Sequence, residues 1–152
     1  MVELMVVVAI VGILGAIAIV GMITSRENRQ LQSAASTLAG NLQLARMQAI
    51  REGIDVTLAF DGPAYNVFID ANGNRIFDAG ERLLAGPVDL PPGITIGQNT
   101  FMNGAVVFNS RGMLNNNGGG RVMFRGSGGN NRQVTVQVFA PTGRIQVETT
   151  GL

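Results

Sequence analysis

From Leu4 to Ile23 the chain carries no charged side chain and almost no polar one. Twenty residues of helix at about 1.5 Å rise each span about 30 Å, the thickness of a bilayer's hydrocarbon core. A surface helix of a small domain keeps a polar face, and this run has none. It therefore predicts a membrane-spanning helix, with residues 1–23 as its membrane and assembly half. A cleaved secretory signal is the competing explanation, since Ala16-Ile17-Ala18 has the form of a cleavage box. Yet the chain opens Met-Val-Glu, acidic where such a signal is basic, and the run exceeds a usual signal core.

The helix is not expected to stop at the bilayer. No proline precedes Pro63, and Leu31, Ala34, Ala35, Leu38, Leu42, Ala45 and Ala49 recur at three- and four-residue spacing. Arg29, Gln32, Ser36, Gln43 and Gln48 largely fall elsewhere around the axis, and Gly53 supplies a stop signal. The pattern predicts one helix over 2–51, about 75 Å long, whose second half (24–53) lays an apolar stripe on a domain.

Residues 54–152 read as that domain. Ile54, Val56, Leu58 and Phe60 alternate with Asp55, Thr57 and Ala59, the pattern of a strand with one buried face. Further strands are expected at 64–69, 82–85, 94–97, 105–109, 121–125, 133–139 and 143–148, separated by Gly, Asn and Pro clusters. The fold class that follows is α+β, a long N-terminal helix packed on an antiparallel β-sandwich or curved sheet. Asn115–Gly120 and Gly126–Asn131 are expected to be mobile hairpin loops.

The composition removes whole classes of chemistry. With no Cys and no His there are no disulfides, thiol nucleophiles, imidazole bases or zinc sites of the usual kind. No Gly-rich phosphate loop follows a strand, and nothing points to two acids sharing a cleft, so no enzymatic activity is expected. All eleven basic residues are Arg, and the net charge of +1 is unevenly spread. Residues 1–97 hold six Arg against nine acids, whereas 98–152 hold five Arg against Glu148 alone.

Glu3 stands at the mouth of the apolar run, where a carboxylate is costly unless it meets a positive partner. The segment Val2-Glu3-Leu4-Met5-Val6-Val7-Val8-Ala9-Ile10-Val11-Gly12-Ile13-Leu14 resembles the start of a mature type IV pilin or type II secretion pseudopilin. Leu42-Gln43-Leu44-Ala45-Arg46-Met47-Gln48-Ala49-Ile50-Arg51, followed by Val56-Thr57-Leu58, is similar to the GspH/FimT branch, the minor pseudopilins and related minor pilins. The resemblance covers about the first sixty residues and matches the remainder in pattern. It implies a single-pass bacterial inner-membrane protein with its C-terminal domain in the periplasm, a methylated N-terminus and incorporation into a filament. It also implies other pilin or pseudopilin subunits as partners, and processing by a prepilin peptidase of a basic leader that in the family precedes this segment. Glu3 is the residue that matches the family's assembly glutamate, which pairs with the N-terminal amine of a neighbouring subunit. Arg26 and Arg29, the cations flanking the run here, would by themselves place the C-terminal domain in the cytoplasm.

Two constellations in the domain stand out. Asp70, Asn72, Asn74, Asp78 and Glu81 occupy positions 1, 3, 5, 9 and 12 of a twelve-residue stretch, with the carbonyl of Ile76 at position 7. That is the spacing by which a loop surrounds calcium with oxygens, although Arg75 replaces the glycine usual at position 6. The alternative is an Asn/Gly/Asp-rich turn between strands. Calcium is the one cofactor the sequence suggests. In the C-terminal strands, Arg121 and Arg125, and Arg144 beyond them, fall on the face opposite Val122, Phe124, Ile145 and Val147. Some FimT-like pilins bind DNA through a C-terminal Gly-Arg-x-Arg motif, and Gly143-Arg144-Ile145-Gln146 matches its first half. A DNA-binding minor pilin is thus the alternative to a purely structural subunit, against an ordinary solvated sheet face.

Overall fold

The computed structural model describes residues 2–115, 119–127 and 132–150, with the side chains of 15–24 outside the description. Among the described residues one α-helix, α1, spans Val2–Glu52. It ends where expected: Gly53 takes φ 70° and its N–H donates to the Ala49 carbonyl at 2.9 Å. Among the described residues no helix is long and apolar enough to cross a membrane. Of the run 4–23, residues 15–23 lie outside the described side chains.

Eight strands follow, β1 Val56–Asp61, β2 Ala64–Ile69, β3 Arg82–Asp89, β4 Ile94–Asn99, β5 Ala105–Phe108, β6 Gly120–Gly126, β7 Gln133–Phe139 and β8 Arg144–Thr150. They form two antiparallel four-stranded sheets, in the orders β3-β2-β1-β5 and β4-β6-β7-β8. Neither closes into a barrel, and α1 packs against strands of both. The predicted stripe is the contact: Leu31, Ala34, Ala35, Leu38, Leu42, Ala45 and Ala49 are all buried. They meet Val56, Leu58, Tyr65, Val67 and Val106 of the first sheet and Val122, Phe124, Val134, Val136 and Val138 of the second. Four alanines in the stripe let the backbone of α1 lie close to the sheets, and the leucines fill the space between them. Polar contacts fix its rotation. Asn41 donates to the Tyr65 hydroxyl at 2.9 Å, and Arg82 pairs with Glu52 at 3.0 Å. Burial pushes the Tyr65 phenol pKa up, and the Asn41 bond partly offsets that.

Three expectations need correcting. Ile54 precedes β1 and is partly exposed, because the chain leaving Gly53 turns before it pairs. Thr57, expected on a solvated face, is fully buried. The 70–81 segment covers it: Thr57 Oγ1 donates to Asp70 Oδ2 at 3.3 Å, and Phe77 packs edge-on against Phe68, its neighbour across the sheet. Residues 115–120 are not a hairpin, since β5 and β6 belong to different sheets and the segment crosses between them. The 126–131 segment does join paired strands β6 and β7. Residues 116–118 and 128–131 lie outside the described ones.

Candidate functional site

The N-terminal quarter of α1 is exposed on all sides. Val2, Leu4, Met5, Val6, Val7, Val8, Ile10, Val11, Ile13 and Leu14 are each more than half exposed, from 75% at Val2 down to 52% at Val6 and Ile10. Successive helical residues point about 100° apart, so a run of consecutive exposed positions leaves no side covered. Glu3 lies in the first turn, where the unpaired N–H groups favour a carboxylate.

The 70–81 segment folds as a set of nested turns. Asp70 accepts the N–H groups of Gly73 at 2.7 Å and Arg75 at 2.9 Å, Asn72 that of Asn74 at 2.9 Å, and Asn74 that of Ile76 at 2.8 Å. The Asn72 and Asn74 amides converge on Asp78 Oδ2 at 2.9 and 2.6 Å, and Glu81 accepts N–H groups of Ala71 and Asp78. Arg75 adopts φ 66°, the left-handed conformation that a calcium loop assigns to glycine at this place. The left-handed turn is that of such a loop, but the Asn72 and Asn74 oxygens are taken up by backbone N–H groups and only their N–H₂ groups face Asp78. The acids alone do not suffice: among the described residues no group of three Asp, Glu, His or Cys side chains could hold a metal. An ion here would need the Asn carbonyls and the Ile76 carbonyl as well. Turning over the Asn72 and Asn74 amides would aim their oxygens at the Asp78 side and give up their bonds from the N–H groups of Asn74 and Ile76.

The C-terminal sheet carries the arginines on its outer face, as the alternation predicts. Val122 and Phe124 are buried while Arg121 and Arg125 are exposed. The register separates the three cations. Arg121 stands in one row with Gln137 and Gln146, and Arg144 pairs with Phe139 at the adjacent end. Arg125 is four residues along β6, beyond the Met123–Thr135–Glu148 row, so a carboxylate lies between the groups. Arg144 is also engaged, donating to Gln146 Oε1 at 2.6 Å and sitting 5.1 Å over the Phe139 ring. Gln146 in turn donates to Glu148 at 2.8 Å. Gly143 has a backbone reason to be glycine. Its φ is 67°, and a Cβ there would meet the Gly112 carbonyl oxygen at 2.8 Å.

Sequence reasoning missed three contacts that matter here. Phe77 closes the outer face of the first sheet, Phe139 lies under Arg144, and Arg46 donates to the Gly112 carbonyl at 3.0 Å, tying α1 to the β5–β6 crossover. Only the Phe139–Arg144 pair had a local signal, the short turn that places these two residues opposite each other.

The same architecture occurs in solved structures. The type IV minor pilin FimU of Pseudomonas aeruginosa (strain PAO1) matches with a TM-score of 0.61 at 20% identity, covering 80% of this chain and 90% of that one. The minor pseudopilin EpsH from the type 2 secretion system of Vibrio cholerae matches with a TM-score of 0.62 at 14% identity, covering 81% and 99%. At such identities the likeness is one of fold. No curated protein sequence matches the chain. Residues 34–143, from the buried stripe of α1 to the β7–β8 turn, match the family described as Type II transport protein GspH. That match takes in the first sheet, three strands of the second and most of the chain, so the protein belongs to the GspH family of pilin-like proteins.

Proposed function

We propose that this chain is a minor pilin or pseudopilin, a structural subunit of a type IV pilus-like or type II secretion filament. It is anchored by residues 2–23, with its C-terminal domain in the periplasm. One observation carries the reading: an α-helix whose first thirteen described residues, Val2–Leu14, are apolar but for Glu3 and exposed on every side. Such a surface is unstable in water and calls for lipid or a neighbouring helix. Membership of the GspH family and the fold shared with FimU and EpsH point to filament neighbours as the partners. A charge in mid-run tests the anchor. Ile13→Asp adds about 3 kcal/mol to insertion at a helix centre. The full chain should then leave the membrane fraction in alkaline carbonate, where the unaltered chain stays. Equal retention of the variant would remove the anchor from this account.

The 70–81 loop is proposed to take one weakly held calcium ion that stiffens the flap over the first sheet. The support is the spacing of Asp70, Asn72, Asn74, Asp78 and Glu81, the meeting of Asn72 and Asn74 at Asp78, and the left-handed Arg75. With a dissociation constant of about 1 mM, 10 mM calcium stabilises the fold by about 1.4 kcal/mol. The melting temperature should rise by about 5 °C. Magnesium should give less, and Asp78→Ala should remove the response. No calcium-specific shift in the unaltered protein would reduce the loop to a turn.

DNA capture by the Arg face is the second reading, supported by the exposed Arg121 and Arg125. Glu148 between the cations, and the engagement of Arg144, make it the weaker one. Duplex DNA is expected to bind no tighter than about 10 µM at physiological salt, the non-specific range. Three phosphate contacts would give a slope of log K against log salt of about −2.7. Submicromolar binding lost in Arg144→Ala would reverse this order of preference.

A further inference from the structure

The end of the domain where α1 enters carries a cavity of about 240 Å³ that the filament reading leaves unused. Asn28, Arg29, Leu31 and Gln32 of α1 line one wall, and Arg132, Val134 and Thr149 line the other. The register explains the meeting. Val134 and Thr149 are directly opposed on β7 and β8, and Thr149 Oγ1 donates to Gln32 Oε1 at 3.4 Å, closing one side. Among the described residues neither Arg29 nor Arg132 has an ion pair or hydrogen bond to its guanidinium. On the α1 wall, Asn28 Oδ1 is buried without a hydrogen-bond partner among the described residues. Turning the amide over would present an N–H in its place. Glu27, the nearest acid along α1, lies over Gly126 and is not among the residues that line the cavity.

Position decides what such a cavity would meet. Asn28 is five residues past the end of the apolar run at Ile23, and Gln32 nine, which at about 1.5 Å per residue is about 7–14 Å. A bilayer's polar headgroup layer is about 5–8 Å thick on each side, so Asn28 stands at its outer edge, and side chains on α1 lean back toward it. Arg26 on α1 adds a further exposed cation at this level. Guanidinium groups are the side chains best matched to phosphate oxygens, binding them through paired N–H donors. We propose that this cavity seats the phosphodiester headgroup of a membrane lipid, holding the base of the domain against the bilayer surface. The inference rests on the anchored reading given above, with the apolar run in the membrane and the domain outside it.

The test uses the full chain in maltoside micelles, with amide signals of Asn28, Arg29 and Thr149 followed by NMR. Dihexanoyl phosphatidylglycerol should shift these signals saturably, and dihexanoyl phosphatidylcholine more weakly because its choline cation opposes the arginines. Arg29→Gln and Arg132→Gln should each weaken binding about tenfold. Arg132→Lys should recover part of the loss, which damage to the fold would not allow. Inorganic phosphate binding as tightly as phosphatidylglycerol would overturn the lipid assignment in favour of a free anion. Absence of any localised shift would overturn the site itself. Retention of the same chain in vesicles under alkaline carbonate is scored separately. If the chain is retained but its signals do not respond, the headgroup site fails and the anchor stands. If the chain is not retained, the anchor fails.

Discussion

Replacing Glu3 by Leu is expected to lower incorporation into filaments at least tenfold, with expression and membrane retention unchanged. The expectation follows from what the carboxylate costs and what could repay it. At the edge of an apolar span a charged side chain is unfavourable, by up to about 3 kcal/mol at mid-membrane and less near the interface. Leucine should therefore insert at least as well, and any loss cannot be blamed on anchoring. Filament packing would bring Glu3 beside a neighbour's N-terminal amine, in surroundings where a charge pair is worth far more than in water. Without the carboxylate that amine is left unpaired among apolar side chains, and breaking one half of a buried pair costs about 3–5 kcal/mol. The measurement is the fraction of the chain in sheared filaments relative to the membrane pool, with Glu3→Asp beside it. The shorter acid should keep part of the function. Full incorporation of Glu3→Leu would mean that assembly is driven by apolar contact alone.

The second large effect is expected at Leu42. It is fully buried where α1 meets both sheets, and Leu42→Ala should destabilise the domain by about 3 kcal/mol, lowering its melting temperature by about 10 °C. Leu44, two residues on and 40% exposed, is the internal control. Leu44→Ala should stay within about 0.5 kcal/mol of the parent. Thermal unfolding of the full chain in detergent, followed by far-ultraviolet circular dichroism, reads both. If the two variants melt together, the stripe is not the seam that joins helix to sheets.

The elements that could be read in advance are those whose cause is local. The length of α1, its end at Gly53 and the apolar residues of its buried stripe follow from hydrophobic spacing and one glycine, whereas Gln48, expected off the stripe, is buried beside Ala49. The eight strands do as well, with ends moved by a few residues: β3 extends to Asp89 where the expectation stopped at 85. The outward placement of Arg121 and Arg125 follows from two-residue alternation. What escaped depends on contacts distant in sequence. Nothing local says that β5 returns to pair with β1, or that β4 leaves β3 for β6. Thr57 looks solvated along its own strand and is buried where the 70–81 segment bonds it through Asp70 and packs Phe77 on its cross-strand neighbour Phe68. The Arg face shows the same limit. Alternation shows that the arginines point outward, but only the register reveals Glu148 standing between them. The pairing of Arg29 with Arg132 across a cavity was out of reach for the same reason, since one wall comes from α1 and the other from β7 and β8.

The attachment of α1 has a mechanical consequence. Its contacts reach β1, β2 and β5 in one sheet and β6, β7 and β8 in the other, so neither sheet hangs from the other alone. A tension applied along the rod would be shared by two sheets at once and would load their seam with the helix in shear. Shear strains many side-chain contacts together, whereas peeling would open them one after another. The clamps at the far end, Glu52 with Arg82 and Arg46 with the Gly112 carbonyl, lie where such a load would have to be resisted last. A subunit built in this way can be drawn up or pushed out by its tail while its head keeps its shape.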